Sequence, residues 1–88
     1  MVTAIYPGTF DPVHNGHVDV AERASKLFDK LVIGIYNSPP KNLLFTMDER
    51  VEMFRKAIVD KKNIEVLPFN GLAVDFALKV KAGFILRG

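Results

Sequence analysis

The stretch YPGTFDPVHNGH, residues 6–17, decides how this chain folds, because it joins an apolar segment to a helix-like one. It holds two prolines, two glycines and both histidines of the chain. Pro and Gly interrupt regular structure, so the apolar run Val2–Tyr6 predicts a first strand that stops at Pro7 and Gly8. The histidines leave open whether the stretch is only a turn or also a binding site.

The residues after this stretch predict a first helix. From Gly16 to Phe28 the apolar residues recur at helical spacing, with charged residues between them. Asn15 is the expected N-cap, because its side chain can accept a hydrogen bond from an amide of the first turn. His17 then lies in that first turn, where free amides and the positive end of the helix dipole attract anions.

Several residues around His17 fit a loop that binds an anion. Gly16 lacks a side chain where a ligand would approach the backbone, and Gly8 and Thr9 offer a permissive backbone and a hydroxyl. An imidazole at this place can donate a hydrogen bond to a phosphate oxygen. The plainer interpretation is that His14 and His17 are solvent-exposed residues at the start of a helix.

The rest of the chain alternates strand-like and helix-like segments. They are a strand at Leu31–Tyr36, a helix opened by the capping box Thr46–Glu49 and ending near Asp60, a strand at Ile64–Phe69 that Pro68 ends, a helix at Gly71–Lys81 and a strand at Gly83–Leu86. This alternation predicts a Rossmann-like α/β fold of the order βαβαβαβ, with a parallel sheet. Ligands of such sheets bind beyond the carboxyl ends of the strands.

Length and composition limit the possible kinds of protein. The 88 residues predict one domain, spanning 1–88, because domains usually have about 100–150 residues. Twelve basic and ten acidic residues give a net charge of +2, and their scatter argues against a nucleic-acid partner. The absence of cysteine favours a reducing compartment, and the cytoplasm is expected. No targeting segment and no apolar run long enough to span a membrane is recognised.

The tetrad HNGH, His14–His17, resembles the H-x-G-H signature of the nucleotidyltransferase superfamily. Further stretches are similar, in order and spacing, to motifs of bacterial phosphopantetheine adenylyltransferases: YPGTFDPVHNGHVD at 6–19, SPPKNLLFTMDER at 38–50, GLAVDFA at 71–77 and LRG at 86–88. The resemblance covers essentially the whole chain. It implies adenylyl transfer from ATP to 4′-phosphopantetheine, giving dephospho-coenzyme A and pyrophosphate in coenzyme A biosynthesis, with magnesium. It also implies the strand order 3-2-1-4.

The resemblance assigns roles to particular residues. It implies that the catalytic residues are Thr9, His17, Lys41 and Arg87. It implies nucleotide contacts by Thr9, Phe10, His17 and Gly88, and phosphopantetheine contacts by Thr9, Lys41, Leu72, Ala73 and Arg87. It assigns no residue to a metal, and it leaves His14 a secondary role.

Plainer interpretations of these residues stay open. Lys41 can be an ordinary exposed lysine in a polar loop, and Arg87 a frayed residue near the end of the chain. The apolar pattern places Leu72 and Phe76 in the core rather than at a ligand. Asp11 can pair with a base or cap a turn.

The resemblance also predicts that the chain corresponds to the first half of the family's domain. Of the family pattern R-G-L-R at the fourth strand, this sequence has only Arg87 and Gly88, and the family's later Ser/Thr-rich loop has no counterpart. We therefore expect an exposed edge on strand four and self-association, because unpaired edges pair with other chains. Family members suggest a homo-oligomer, a hexamer. The alternatives are an inert half-domain that self-associates, or a sibling nucleotidyltransferase acting on glycerol phosphate or nicotinamide mononucleotide.

Overall fold

The structure, a computed structural model, describes residues 1–37 and 43–87. Its elements are β1 (Thr3–Gly8), α1 (Asn15–Leu27), β2 (Lys30–Tyr36), α2 (Met47–Ala57), β3 (Ile64–Phe69), α3 (Ala73–Lys79) and β4 (Phe84–Ile85). The strands form one sheet in the order β3-β2-β1-β4, and every neighbouring pair is parallel. The predicted α/β class, the parallel sheet and the implied strand order are confirmed.

The helices cover both faces of this sheet. Ala4 and Tyr6 of β1 pack with residues of α1 and α2, whereas Ile5 between them packs with Phe76 and Ala77 of α3. This alternation follows from strand geometry, in which successive side chains point to opposite faces. Residues 31–35 of β2 are all buried, which confirms that this strand is covered on both sides.

Two strands continue through prolines that were expected to end them. The carbonyl of Ile5 accepts a hydrogen bond from Leu86 N, so the backbone of Ile5 faces β4. Pro7, two residues further along β1, faces the same side, but β4 has already ended at that level. The carbonyl of Phe69 accepts from Asn37, so Pro68 before it faces the outer edge of the sheet. Neither proline removes a hydrogen bond between neighbouring strands, which is the condition under which strands tolerate proline.

The predicted helix boundaries need smaller corrections. The capping box of α2 is confirmed, since Glu49 N donates to Thr46 Oγ1 over 3.1 Å and Thr46 N donates to Glu49 Oε1 over 2.9 Å. However, α2 ends at Ala57 and does not reach Asp60. The third helix begins at Ala73 because Gly71 has a φ of 78°, which no right-handed helix contains.

The core assignment of the third helix is half right. Phe76 is buried as predicted, at 7% exposure. Leu72 is 68% exposed, because it precedes α3 in the loop after β3 and no helix carries it toward the sheet. The strand β4 is also shorter than expected, with only two residues.

Across residues 1–37 and 43–87, the helices are too short and too polar for any of them to cross a membrane.

Gly34 in the middle of β2 lets α3 lie close to the sheet. A Cβ at this position would come within 2.7 Å of Phe76 Cε2 and 3.0 Å of Phe69 Cδ1, and these two rings are stacked on one another. We predict that Gly34→Ala lowers the free energy of unfolding by about 1–3 kcal/mol, as overpacked cores do. Gly83→Ala is the matched control, because nothing lies within 4 Å of its added Cβ. Equal urea midpoints for the two variants would contradict close packing at Gly34.

Candidate active site

A cavity of about 510 Å³ lies at the carboxyl end of β1, against the first turn of α1. Its lining consists of Tyr6, Pro7, Gly8, Thr9, Phe10, His14, Gly16, His17 and Val20. It therefore brings together Thr9 and His17, two of the predicted catalytic residues. Cavities of about 720 and 770 Å³ lie along α2 and at the amino ends of β2 and β3, and neither is lined by a histidine. The chemistry favours the smaller cavity.

The two histidines close the start of α1 by capping each other. His14 is the N-cap, and its Nδ1 accepts a hydrogen bond from Gly16 N over 3.0 Å. In return, His14 N donates to Nδ1 of His17 over 3.1 Å. The expectation of Asn15 as N-cap is therefore wrong. The imidazole of His14 takes the place of the usual short polar N-cap because its Nδ1 lies within hydrogen-bond distance of the amide of Gly16 in the first turn.

The capping bonds determine which ring nitrogens carry protons. A backbone N–H can only donate, so Nδ1 of His14 and Nδ1 of His17 must both be acceptors. In the neutral rings the proton therefore lies on Nε2. His17 lines the cavity, and its Nε2–H is the donor that the cap leaves for a ligand.

Gly16 serves the cap as much as any ligand. A Cβ at this position would lie 2.9 Å from Cε1 and 3.1 Å from Nδ1 of His14. Two amides of the first turn are also occupied, since Gly16 N donates to Nδ1 of His14 and His17 N donates to its carbonyl over 3.0 Å. Fewer amides of the first turn are therefore free to bind an anion than the sequence predicts. The Nε2–H of His17 becomes the more important donor of the site.

Phe10 anchors the loop between β1 and α1 to the core. Its ring is 4% exposed and makes edge-to-face contacts with His17, Phe54 and Tyr6, at centroid distances of 4.8, 4.9 and 5.3 Å. A Cβ on Gly8 would lie 2.8 Å from this ring, so Gly8 leaves room for packing. Phe10 has a φ of 48°, an uncommon value for a bulky residue, which the surrounding contacts stabilise.

Two long-range contacts fasten the same loop to the segment around α2. The carboxylate of Asp11 accepts hydrogen bonds from Leu44 N over 2.6 Å and from Phe45 N over 2.9 Å, two amides of a bend just before α2. The side chain of Arg50, only 1% exposed, donates from Nη1 to Thr9 O and to Tyr36 O, each over 3.0 Å.

Arg50 is not among the site residues predicted from the sequence, although its position in α2 is a signal for it. Arg50 stands four residues before Phe54 and eight before Ile58, both of which are buried. This spacing puts Arg50 on the apolar stripe of α2, where a charged residue needs a specific reason.

The remaining predicted residues lie apart from this cavity or outside the described residues. Arg87 follows β4 and is exposed, and it does not line the cavity. Leu72 and Ala73 lie at the start of α3, which packs on the other face of the sheet from α1. Lys41 and Gly88 lie outside the described residues.

The described side chains bring together no group of three or more His, Asp or Glu that could hold a metal ion. The polar side chains that line the cavity are the imidazoles of the two histidines and the hydroxyls of Thr9 and Tyr6, whereas hard cations such as magnesium prefer carboxylates and phosphate oxygens. These residues fit an anion better than a cation.

A family model described as cytidylyltransferase-like matches residues 5–88. The chain belongs to the cytidylyltransferase-like family. It is 51% identical over all 88 residues to the phosphopantetheine adenylyltransferase of Clostridium botulinum (strain Eklund 17B / Type B), and 47% identical to that of Clostridium kluyveri. It spans 55% and 54% of the lengths of these two proteins, so it covers about half of each curated relative.

Solved structures agree with this family's fold. The NadR protein, in a crystal structure with NAD and AMP-PNP, matches with a TM-score of 0.70 and 26% identity, over 81% of this chain and 21% of that one. A lipopolysaccharide core biosynthesis protein from Thermoplasma volcanium has a TM-score of 0.73 at 22% identity, over 97% of this chain and 72% of that one. The second likeness concerns the fold alone.

In this member of the cytidylyltransferase-like family, two effects keep His17 neutral. Burial lowers the pKa of His17 because it disfavours the charged ring, and a charge on His14 lowers it further. The two imidazoles are stacked, with centroids 3.6 Å apart. The neutral ring is also the form that the cap needs, since protonation at Nδ1 removes its acceptor.

We predict that His17 titrates below pH 6.5 in a ¹H–¹³C NMR titration, and that His14→Asn raises this pKa only part of the way. Asparagine preserves a cap and removes the neighbouring charge, whereas desolvation of His17 remains. A wild-type midpoint at or above 6.5 would contradict the desolvated ring.

The same shift makes stability depend on pH. Because the folded-state pKa is depressed, the unfolded chain binds more protons between the two pKa values. The contribution of His17 to the free energy of unfolding is therefore complete above pH 6.5 and is lost as pH falls through the folded-state pKa. We expect the free energy of unfolding of His17→Gln, measured by urea denaturation from pH 6.5 downward, to lack this pH-dependent loss.

Proposed function

We propose that this chain carries the adenylyl-transfer site of a phosphopantetheine adenylyltransferase. The proposed reaction transfers the adenylyl group of ATP to 4′-phosphopantetheine and yields dephospho-coenzyme A and pyrophosphate. Identities of 51% and 47% to proteins of that name support it, over the half of their length that the chain spans. Coenzyme A synthesis in the cytoplasm is the setting that we infer for it.

The observation that carries the proposal is the position of the His17 proton. The bond from His14 N to Nδ1 leaves the Nε2–H of His17 as the donor for the cavity that Thr9 also lines. A neutral imidazole with a predetermined donor can bind an anionic oxygen without first losing or gaining a proton. Preorganised donors of this kind stabilise charge that develops in a transition state.

In the proposed reaction, Thr9 holds the phosphate of 4′-phosphopantetheine so that one of its oxygens faces the α-phosphorus of ATP. A bond forms between this oxygen and the α-phosphorus, and the bond from the α-phosphorus to the bridging oxygen of the β-phosphate breaks. Pyrophosphate leaves with that electron pair. His17 donates from Nε2 to the α-phosphate as its charge grows, and no covalent intermediate with the protein is required.

The other residues retain the roles that the family resemblance implies. We propose that Lys41 and Arg87 bind the attacking phosphate and offset its charge. Phe10 contributes its backbone to the nucleotide site, because its ring is committed to the core. The exposure of Leu72, at 68%, supports a contact with pantetheine, and Ala73 adjoins it. Gly88 is proposed to contact the nucleotide.

Magnesium is proposed to arrive with ATP, bound to its phosphates. The described residues offer no cluster of acidic side chains for it, and no step of the reaction is assigned to a metal held by the protein.

Pyrophosphate release tests the proposal. The chain is supplied with ATP, magnesium and 4′-phosphopantetheine, and the control mixture lacks 4′-phosphopantetheine. We expect acceptor-dependent release. His17→Ala should lower kcat about a hundredfold, or about 3 kcal/mol, because it removes one preorganised donor.

The matched control is Arg23→Gln, since Arg23 lies on the same helix in an exposed ion pair with Asp19. Unchanged turnover in His17→Ala would remove His17 from the mechanism. Release that needs CTP with glycerol phosphate, or nicotinamide mononucleotide as acceptor, would replace the proposed substrates with those of a sibling enzyme. No release with any of these substrates would identify the chain as an inert half-domain.

We further propose that the 88-residue chain self-associates through the edge of β4. In the described part of the chain, β4 pairs only with β1, and its two residues Phe84 and Ile85 are 52% and 40% exposed. An edge with apolar side chains and unpaired backbone groups is a template for pairing with a second chain.

Sedimentation velocity tests this association. We expect the wild-type chain to sediment as a dimer or larger species, and Ile85→Lys to shift it toward monomer, because a charge on an edge strand opposes pairing. Val59→Lys is the control, since Val59 is 79% exposed beyond the end of α2. A monodisperse wild-type monomer would refute the proposal.

A further inference from the structure

Arg50 stands at a position that is unfavourable for a positive charge. It lies in the first turns of α2, which begins at Met47, and the amino end of a helix carries partial positive charge. Its side chain is also 1% exposed, and its Nε has no hydrogen-bond partner among the described residues. A buried cation loses its hydration, so its presence calls for compensation by the groups around it.

The compensation comes from two backbone carbonyls at the carboxyl ends of β1 and β2. Arg50 Nη1 donates to Thr9 O and to Tyr36 O, each over 3.0 Å. Tyr36 is the last residue of β2, and Thr9 follows the last residue of β1 directly. One guanidinium nitrogen thus connects α2 to the ends of the two central strands, at the point where the chain enters the candidate site.

The contact acts on the residue proposed to hold the acceptor phosphate. Thr9 itself is exposed and lines the cavity, so its side chain lacks the packing that holds a core residue. Its carbonyl is held by Arg50, and the next residue, Phe10, keeps an uncommon φ of 48°. Together, the guanidinium and the buried ring determine the backbone conformation on which the position of the Thr9 hydroxyl depends.

We propose that Arg50 is a positioning residue for the phosphate-binding loop, which it holds through the carbonyl of Thr9. The inference rests on the proposed function, because it gives Thr9 the task of binding the acceptor phosphate. Arg50 itself does not line the candidate cavity. It supports the site from α2 by linking the Thr9 carbonyl to the end of β2.

Arg55 supplies a control on the same helix, although it is exposed where Arg50 is buried. It donates from Nη2 to the carbonyl of Val66 over 3.1 Å, so it makes the same kind of bond to a different strand, β3. Val66 does not line the candidate cavity. A purely structural contribution of such bonds should therefore appear in both Arg55→Met and Arg50→Met, whereas an effect on the loop should appear only in the second.

The first readout is the mobility of the loop in the chain, which needs no activity. We expect ¹⁵N order parameters at Thr9 and Phe10 near the rigid value of about 0.85 in the wild type and in Arg55→Met, and below about 0.6 in Arg50→Met. The second readout is kinetic. Arg50→Met should raise KM for 4′-phosphopantetheine about tenfold, as the loss of a hydrogen bond from a charged group does, with a smaller change in KM for ATP.

Arg50→Lys keeps the charge and replaces the planar fork by a single ammonium. We expect this variant to fold and to show intermediate mobility at Thr9, and it decides the question where Arg50→Met does not fold. A rigid loop and unchanged KM in Arg50→Lys, or equal loss of melting temperature in Arg50→Met and Arg55→Met with a rigid loop in both, would overturn the proposal. Absence of transfer activity in the wild type would refute the proposed function, while the order parameters would still test the link between Arg50 and Thr9.

Discussion

The structure of the candidate site depends on the burial of the Phe10 ring. This ring contacts Tyr6 of β1, His17 of α1 and Phe54 of α2, so one side chain joins three elements beneath the loop. The loop cannot move away from the sheet without exposing this ring to water, at a cost of about 1.5–3 kcal/mol for a large apolar side chain. The uncommon backbone conformation of Phe10 is stabilised in the same way. A packing interaction thus determines where the polar groups of the site lie.

Polar contacts hold the same loop in addition to the buried ring of Phe10. Asp11 ties it to the backbone before α2, and Arg50 ties it to the end of β2. The paired histidines then orient the imidazole of His17, and burial keeps it neutral by lowering its pKa. Each contact uses a backbone group at the end of a strand or near the start of a helix, which is how a loop can present an oriented donor to an anion.

Much of the fold could be predicted because its signals are local. The capping box Thr46–Glu49 involves residues three apart, and the apolar run of β2 describes its burial on both faces directly. Predictions failed where a second element decides the outcome. Pro7 was expected to end β1, but its backbone faces beyond the end of β4, where it removes no bond. Leu72 was expected in the core, but α3 begins only after it.

The sequence by itself determined the order of the elements, the parallel sheet and the place of Thr9 and His17 after the first strand, because these follow from periodicity and from a short motif. Only the tertiary structure decided that Arg50 holds Thr9, and the sequence also missed the local cap by His14. The residue type of the cap and the sequence distance of the Arg50 contacts explain why the sequence did not predict them. His14 caps α1 through an imidazole, a side chain outside the usual set of N-caps, and Arg50 reaches carbonyls 41 and 14 residues away in the chain. The contacts of Arg50 exist only once the strands and helices have packed, whereas the cap by His14 is local and was missed because of its residue type.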